Sequence, residues 1–107
     1  MPILYHTPMT RSSGIRTLIR EMGVDVDIRT VSVVRNDGSG APDPANPHPE
    51  KKVPYLVDGD EQLRERAAIM LYLTDMYPEG GMGPAVGEPG RGAYLSWLAY
   101  YQGVMEP

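Results

Sequence analysis

The sequence predicts an α/β domain in which helices pack on a mixed sheet. A short apolar strand, an amphipathic helix and a second strand fill the chain up to Val33, and this order makes the two strands parallel. After a proline-rich connection, a β-hairpin and a second amphipathic helix follow, which adds antiparallel strands to the sheet. The chain has 107 residues, which is room for one domain.

The first half of the chain carries the β-α-β pattern. Met1–Tyr5 is short and apolar, which favours a buried strand. Over Ser12–Met22, apolar residues recur at the period of one helical face, and Gly23 is a typical left-handed helix terminator. Apolar residues then alternate over Val24–Val33, which predicts a strand with a bulge or break near Arg29–Thr30.

The second half reads as a hairpin followed by a helix. The apolar run Val53–Val57, the turn signal Asp58-Gly59-Asp60 and the short Gln62–Leu63 predict two antiparallel strands. Apolar residues return at helical period over Arg66–Met76, with Ile69, Tyr72, Leu73 and Met76 on one face. Pro78 and the glycines beyond it end this helix.

The remaining residues do not fit the same domain. Residues 78–92 contain nine Gly or Pro, which predicts a linker over 79–90. The segment Arg91–Glu106 is helical in pattern and apolar over more than half its circumference, so we expect it to be buried on both sides. The chain stops at Pro107, so its cover is expected either from further chain or from a second copy.

Composition excludes several classes of function. Ten Lys+Arg against fourteen Asp+Glu give a net charge of −4, which argues against nucleic-acid partners. Cysteine is absent, and His6 and His48 have no partner at metal-ligand spacing, so we expect no metal site. No apolar run approaches the roughly 18 residues of a membrane span, and Met1–Thr7 lacks signal-peptide features. We therefore expect a cytoplasmic protein without a membrane partner.

Three short segments could carry chemistry. Thr10, Ser12 and Ser13 lie between the first strand and the first helix, where hydroxyls could cap the helix or help to bind an anion. Within Val53–Pro54 the proline must lie at a strand start or edge, and local sequence favours the trans form. Glu65-Arg66 begins the second helix, where an acidic residue stabilises any helix.

Together these segments resemble the glutathione S-transferase family. The resemblance is carried by Asn46-Pro47, by Lys52-Val53-Pro54-Tyr55-Leu56-Val57-Asp58 and by the run Leu63–Leu73, LRERAAIMLYL. It covers about residues 1–78 and implies a thioredoxin-like, glutathione-binding domain. Residues 79–90 then resemble an interdomain linker, and 91–107 the first helix of an all-α domain most of which this chain lacks.

The resemblance implies a binding mode for glutathione as co-substrate. It implies that the Val53–Pro54 bond is cis, so that the Val53 backbone pairs with the cysteinyl part of glutathione. It implies that Glu65 and Arg66 hold the γ-glutamyl end, and that Lys52 could meet the glycyl carboxylate. Arg66 departs from the family pattern, because a serine usually follows the glutamate.

The resemblance also places the thiol-activating residue on the first loop, at Thr10, with Ser12 and Ser13 as alternatives. Threonine departs from the commoner Ser or Cys. Lowering a thiol pKa from about 8.5 by two takes about 2.7 kcal/mol. A helix terminus offers about 0.3–1 kcal/mol and a hydroxyl hydrogen bond to the anion about 1.5–3 kcal/mol. Together they suffice, so we expect the hydroxyl to act as a donor and not as the nucleophile.

The implied function is a glutathione transferase-like enzyme that stabilises the glutathione thiolate for attack on a small electrophile. We expect this chain alone to be weak or inactive, because the family's electrophile site normally needs the helical domain. The alternative is a non-catalytic thioredoxin-like assembly module with a vestigial glutathione site. Family members are commonly dimers, so a homodimer is expected, with domain swapping through Arg91–Glu106 as one route.

Overall fold

The structure is a computed structural model that describes residues 1–105, in the order β-α-β-β-β-α before a third helix. The strands are β1 (Ile3–His6), β2 (Asp27–Thr30), β3 (Tyr55–Asp58) and β4 (Glu61–Arg64). The helices are α1 (Ser12–Met22), α2 (Arg66–Met76) and α3 (Arg91–Tyr100). A 3₁₀ turn lies at Pro78–Gly80, and π-helical Tyr101–Met105 continues α3.

The strands form one mixed sheet with the order β2-β1-β3-β4. β1 runs parallel to β2, with Leu4 opposite Ile28, and antiparallel to β3, with Leu4 opposite Leu56. β3 and β4 form the predicted hairpin, with Leu56 opposite Leu63. A parallel pair and a hairpin in one sheet confirm the predicted α/β architecture.

The two faces of the sheet bury different residues, because neighbouring strand residues point to opposite sides. On one face, Leu4 and Leu56 are fully buried against apolar residues of α1 and α2. On the other face, Tyr5 and Tyr55 pack with Val31, which follows β2. Both α1 and α2 therefore cover the same side of the sheet.

The predicted bounds of the first two helices are confirmed to the residue. α1 ends where Gly23 adopts the left-handed conformation, with a φ of 67°. In α2, Ile69 and Leu73 are fully buried as the pattern predicts, but Met76 is 48% exposed. The expectation for Met76 is wrong because it is the last residue of α2, and Tyr77, beyond the helix end, contacts the core instead.

The strand predicted over Val24–Val33 is shorter than its alternation suggests. Only Asp27–Thr30 pairs with β1, and the predicted bulge or break near Arg29–Thr30 is wrong, because the strand runs through both residues in continuous register. β1 ends at His6, whose carbonyl accepts the last bond from the Val31 N–H at 2.9 Å. Val31 and Val33 are nevertheless buried, so here the alternation reflects burial beyond the hydrogen-bonded ladder.

The helix predicted over Arg91–Glu106 is α3 and its π-helical continuation, and Glu106 lies outside the described residues. Tyr94 faces α2, where its hydroxyl lies 2.6 Å from Thr74 Oγ1. Trp97 is 65% and Tyr100 46% exposed, so the part of the chain that the structure describes does not bury α3 on both sides. Within residues 1–105, no helix combines the length and the apolarity that crossing a membrane requires.

Candidate functional site

The loop between β1 and α1 is held by a network of hydroxyl hydrogen bonds. Ser12 is fully buried, and its Oγ lies 2.7 Å from Nδ1 of the buried His6. The same Ser12 oxygen accepts a hydrogen bond from the backbone N–H of Thr7 at 3.1 Å. Thr10 Oγ1 donates to the Thr7 carbonyl at 2.6 Å and lies 2.8 Å from Ser12 Oγ. Thr10 is partly exposed, so the network reaches the surface there.

The start of α1 differs from the predicted cap. The N-cap residue is Arg11, without a side-chain cap, so the expectation that Thr10, Ser12 or Ser13 occupies that position is wrong. Ser12 Oγ is turned inward to His6, and the closest substitute for a cap is Thr10 Oγ1, which accepts from the Ser12 N–H at 3.3 Å. Ser13 is half-buried, and its N–H donates to the Thr10 carbonyl at 3.0 Å.

His6 is the ionisable group of this loop network. Burial, followed by the positive charges of Arg16 and Arg20, lowers the pKa of His6 below its ordinary value of 6.5. The imidazole is therefore neutral at neutral pH, and its one ring proton lies on either Nδ1 or Nε2, so that one nitrogen donates and the other accepts.

The second candidate segment contains a cis peptide bond between Val53 and Pro54. The fully buried Asn46 holds Lys52, the residue before this bond, because Asn46 Nδ2 donates to the Lys52 carbonyl at 3.0 Å. Asn46 Oδ1 in turn accepts from the His48 N–H at 3.0 Å. β3 begins at Tyr55, after the proline that cannot donate a hydrogen bond. The Val53 backbone therefore lies outside the strand ladder.

Charged side chains surround this bend. Lys52 is exposed, and its Nζ lies 3.8 Å from Glu50, which also lies 3.6 Å from Arg64. Such exposed pairs are weak because water and salt screen them, so the Lys52 ammonium remains available to an anion. Lys51 is engaged elsewhere, because its Nζ donates to the Asn46 carbonyl at 2.6 Å.

The third candidate segment opens α2. Glu65 is the N-cap residue, exposed, with a φ of 77°, in the left-handed region that side chains other than glycine rarely adopt. Arg66 is only 3% exposed, and its guanidinium lies over the Tyr101 ring, 5.1 Å from the centroid, in a cation–π arrangement. The backbone N–H of Ala67 donates to Gln102 Oε1. The segment after α3 thus covers the start of α2.

Two adjoining open depressions, each of about 620 Å³, form a groove on one side of the domain, and most of the candidate residues line it. Thr10 lines the first, together with residues that follow β2, and Pro54, Glu65, Arg66 and Gln102 line the second. Four residues line both depressions: Arg11, Glu50, Lys52 and Val53. Ser12 and Ser13 line neither of the two.

Sequence reasoning missed three residues of this region. Asn46 was noted only as part of a motif, although a buried amide between prolines signals a loop anchor. Gln102 is a polar residue on an otherwise apolar helical segment, and that contrast was its signal. His6 gave no signal, since its partner Ser12 lies across a loop. Within residues 1–105, no group of three or more His, Asp or Glu is placed to hold a metal ion.

The sheet order, the helices on one face and the cis-proline beside an open groove define a thioredoxin-like α/β domain. A family model described as glutathione S-transferase, N-terminal domain, matches residues 2–75. A glutathione S-transferase of Triticum aestivum is 39% identical over 84 residues, covering 78% of this chain and 37% of that protein. The chain therefore belongs to the glutathione S-transferase family.

Solved structures agree with this assignment. A glutathione transferase of Methylococcus capsulatus superposes with a TM-score of 0.78 at 33% identity, covering 96% of this chain and 51% of its own. A sphingomonad glutathione S-transferase, complexed with glutathione, gives 0.77 at 33% identity, covering 94% and 51%. The chain spans about half the length of these solved relatives, and less than half that of the wheat protein.

Proposed function

We propose that this chain is the glutathione-binding part of a glutathione transferase-like enzyme. One observation carries the proposal: the Thr10 hydroxyl, the Val53 backbone beside the cis-proline and the start of α2 border adjoining depressions on one side of the domain. An extended tripeptide thiol could touch all three at once. The sphingomonad relative, which is complexed with glutathione, supports this choice of ligand.

Each part of glutathione has a matching group along this groove. The Val53 backbone, which lies outside the ladder, is proposed to pair with the cysteinyl residue. The start of α2 at Glu65 and Arg66 turns the positive end of the helix dipole toward the γ-glutamyl carboxylate. Lys52, exposed on the rim, is proposed to attract the glycyl carboxylate.

Thr10 is proposed to donate its hydroxyl hydrogen bond to the glutathione thiolate. It lies next to the start of α1, so the hydroxyl and the helix dipole act on the sulfur together. A charge-assisted hydrogen bond is worth about 1.5–3 kcal/mol, comparable to the stabilisation needed to ionise a thiol at neutral pH. The thiolate would then attack a small electrophile, form the carbon–sulfur bond and displace the leaving group.

We propose the same organisation for the larger protein as the sequence predicts. Residues 1–78 form the glutathione-binding domain, 79–90 the linker, and 91–107 the first helix of a second domain that helps to bind the electrophile. The exposed Trp97 and Tyr100 are consistent with further cover on α3. A cytoplasmic homodimer is the assembly we propose for that protein.

Calorimetric titration of this chain with glutathione, in two buffers of different ionisation enthalpy, tests the proposal. We expect binding accompanied by release of a proton near neutral pH, since the thiol ionises as it binds. Binding without proton release would leave a recognition site that does not activate sulfur, as in an assembly module. No binding at millimolar glutathione would contradict the proposal for this chain.

A further inference from the structure

We propose that His6 and Ser12 are positioning residues that fix the Thr10 hydroxyl as a hydrogen-bond donor toward the bound thiolate. The inference rests on the proposed function, because it concerns the same thiolate. It arises from a buried histidine and a buried serine that have no place in glutathione contact, since neither lines the groove.

The Thr10 hydroxyl has one proton to donate and two lone pairs that accept. The backbone N–H of Ser12 donates to Thr10 Oγ1 at 3.3 Å, and Ser12 Oγ lies 2.8 Å from the same atom. If Ser12 also donates, both acceptor positions of Thr10 are filled. The Thr10 proton must then point outward to a different acceptor, which in this structure is the Thr7 carbonyl at 2.6 Å.

The direction of the Ser12–Thr10 bond depends on what Ser12 itself accepts. Ser12 Oγ accepts from the Thr7 N–H at 3.1 Å and lies 2.7 Å from His6 Nδ1. If His6 carries its proton on Nδ1, both lone pairs of Ser12 are occupied. The serine proton is then free only for Thr10 Oγ1 or for the Thr7 carbonyl at 3.1 Å.

The surroundings of His6 favour the tautomer that carries the proton on Nδ1. The neutral ring has one proton, and Nε2 is buried without a hydrogen-bond partner among residues 1–105. A proton on Nε2 would be a buried donor with no acceptor, whereas a proton on Nδ1 meets Ser12 Oγ. Orphaned buried N–H groups are rarer than under-used acceptors. His6 therefore donates to Ser12. Ser12 Oγ lies 2.8 Å from Thr10 Oγ1 and 3.1 Å from the Thr7 carbonyl, which already accepts from Thr10, so the chain of donors continues to Thr10.

Ligand binding needs only a rotation of the Thr10 hydroxyl in this arrangement. Its proton turns from the Thr7 carbonyl to the sulfur, while Ser12 continues to donate to Thr10 Oγ1. Hydrogen bonds that run in one direction polarise one another and strengthen the last donor. No proton leaves His6, and the thiol proton passes to solvent.

Two substitutions at position 6 test this relay, by which we mean the chain of hydrogen bonds from His6 through Ser12 to Thr10. His6→Asn keeps a donor, because the amide nitrogen of asparagine is bonded to Cγ, as Nδ1 of histidine is. His6→Leu removes the donor. The pKa of the bound glutathione thiol is measured from thiolate absorbance across pH, and binding of S-methylglutathione, which has no ionisable thiol, is measured beside it. We expect His6→Leu to raise the thiol pKa by about one, a roughly tenfold fall in the ionisation constant of the thiol, and His6→Asn to change it far less. S-methylglutathione should bind all variants within about twofold, a factor worth less than 1 kcal/mol.

The outcomes separate the relay from the proposed function. An unsubstituted chain that does not bind glutathione counts against the proposed function, whereas an unchanged thiol pKa in folded His6→Leu overturns the relay alone. Equal losses of glutathione and S-methylglutathione affinity also overturn it, because they indicate a merely structural role. The tautomer of His6 can also be measured by nitrogen NMR in the unsubstituted chain, so this test does not depend on whether a variant folds. We expect the Nδ1–H tautomer, and a proton on Nε2 would refute the relay.

Discussion

Gln102, in the π-helical segment after α3, accepts a hydrogen bond from the backbone N–H of Ala67 in the first turn of α2. The first N–H groups of a helix have no partner within the helix, and the N-cap residue Glu65 supplies no side-chain bond. A residue from 35 positions further along the chain therefore does the work of a cap. The last described segment is thereby tied to the part of the groove where the γ-glutamyl end is proposed to bind.

Gln102 is expected to stabilise α2 through its side-chain oxygen. Gln102→Ala should lower the free energy of unfolding by about 1 kcal/mol, the usual effect of losing a helix cap. Gln102→Glu keeps the acceptor and adds a negative charge at a helix N-terminus, so it should match or exceed the unsubstituted chain. Urea denaturation measures both variants. Equal losses from Ala and Glu would show that the amide nitrogen, and not the oxygen, matters.

Asn46 is expected to hold the bend that presents Val53. Asn46→Ala leaves the Lys52 carbonyl and the His48 N–H without their partner, and each unsatisfied buried group costs about 1–3 kcal/mol. We expect a loss of at least about 2 kcal/mol in urea denaturation, together with weaker glutathione binding in calorimetry. Asn36→Ala, at an exposed asparagine of the same connection, is the control for stability. Similar stabilities for the two variants would contradict the anchoring role.

How far the sequence predicts this molecule depends on whether a feature is local. The bounds of α1 and α2 follow from helical periodicity and from Gly23, which act within one element. The end of β2 does not, because it is set by the end of β1, a partner remote in sequence. For the same reason the contacts of Ser12 with His6, and of Gln102 with Ala67, could not be predicted. Periodicity describes one face of an element, but not which side chain meets it.

The salt bridge between Arg91 and Asp75 joins α3 to α2 and gives stability a pH dependence. Arg91 donates to both Asp75 oxygens, at 2.7 and 3.2 Å. This hydrogen bond from Arg91 lowers the pKa of Asp75 below its ordinary value of 3.8. A carboxyl whose pKa is lower in the folded state stabilises it above the ordinary value, and that contribution is lost as the pH falls through the lowered pKa.

Asp75→Asn tests this dependence, because asparagine keeps the shape and does not ionise. We expect the variant to be less stable than the unsubstituted chain at pH 7, with the difference shrinking below about pH 4, where the aspartate takes up a proton. Urea denaturation at a series of pH values from 7 to 3 follows the difference. A difference that stays constant over the whole series would mean that the ion pair contributes nothing and that asparagine acts through packing.

The Thr10 hydroxyl is expected to set the ionisation of bound glutathione. Thr10→Val keeps the β-branched shape and removes the hydroxyl, so the bound thiol pKa should rise, with at least a roughly tenfold fall in the ionisation constant of the thiol and a loss of any turnover at neutral pH. Thr10→Ser restores the hydroxyl and should restore most of the ionisation. Thiolate absorbance measures both variants, with S-methylglutathione binding as the check that the groove is intact.

The Thr10→Val result also decides between the hydroxyls of the first loop. If a folded Thr10→Val chain keeps the bound thiol pKa unchanged, Thr10 is not the donor. Ser12 could not take its place directly, because its side chain is fully buried and its oxygen already contacts His6 and Thr7. Ser13 is half-buried at the start of α1, so Ser13→Ala would be the next variant, and a rise in thiol pKa there would move the role to Ser13.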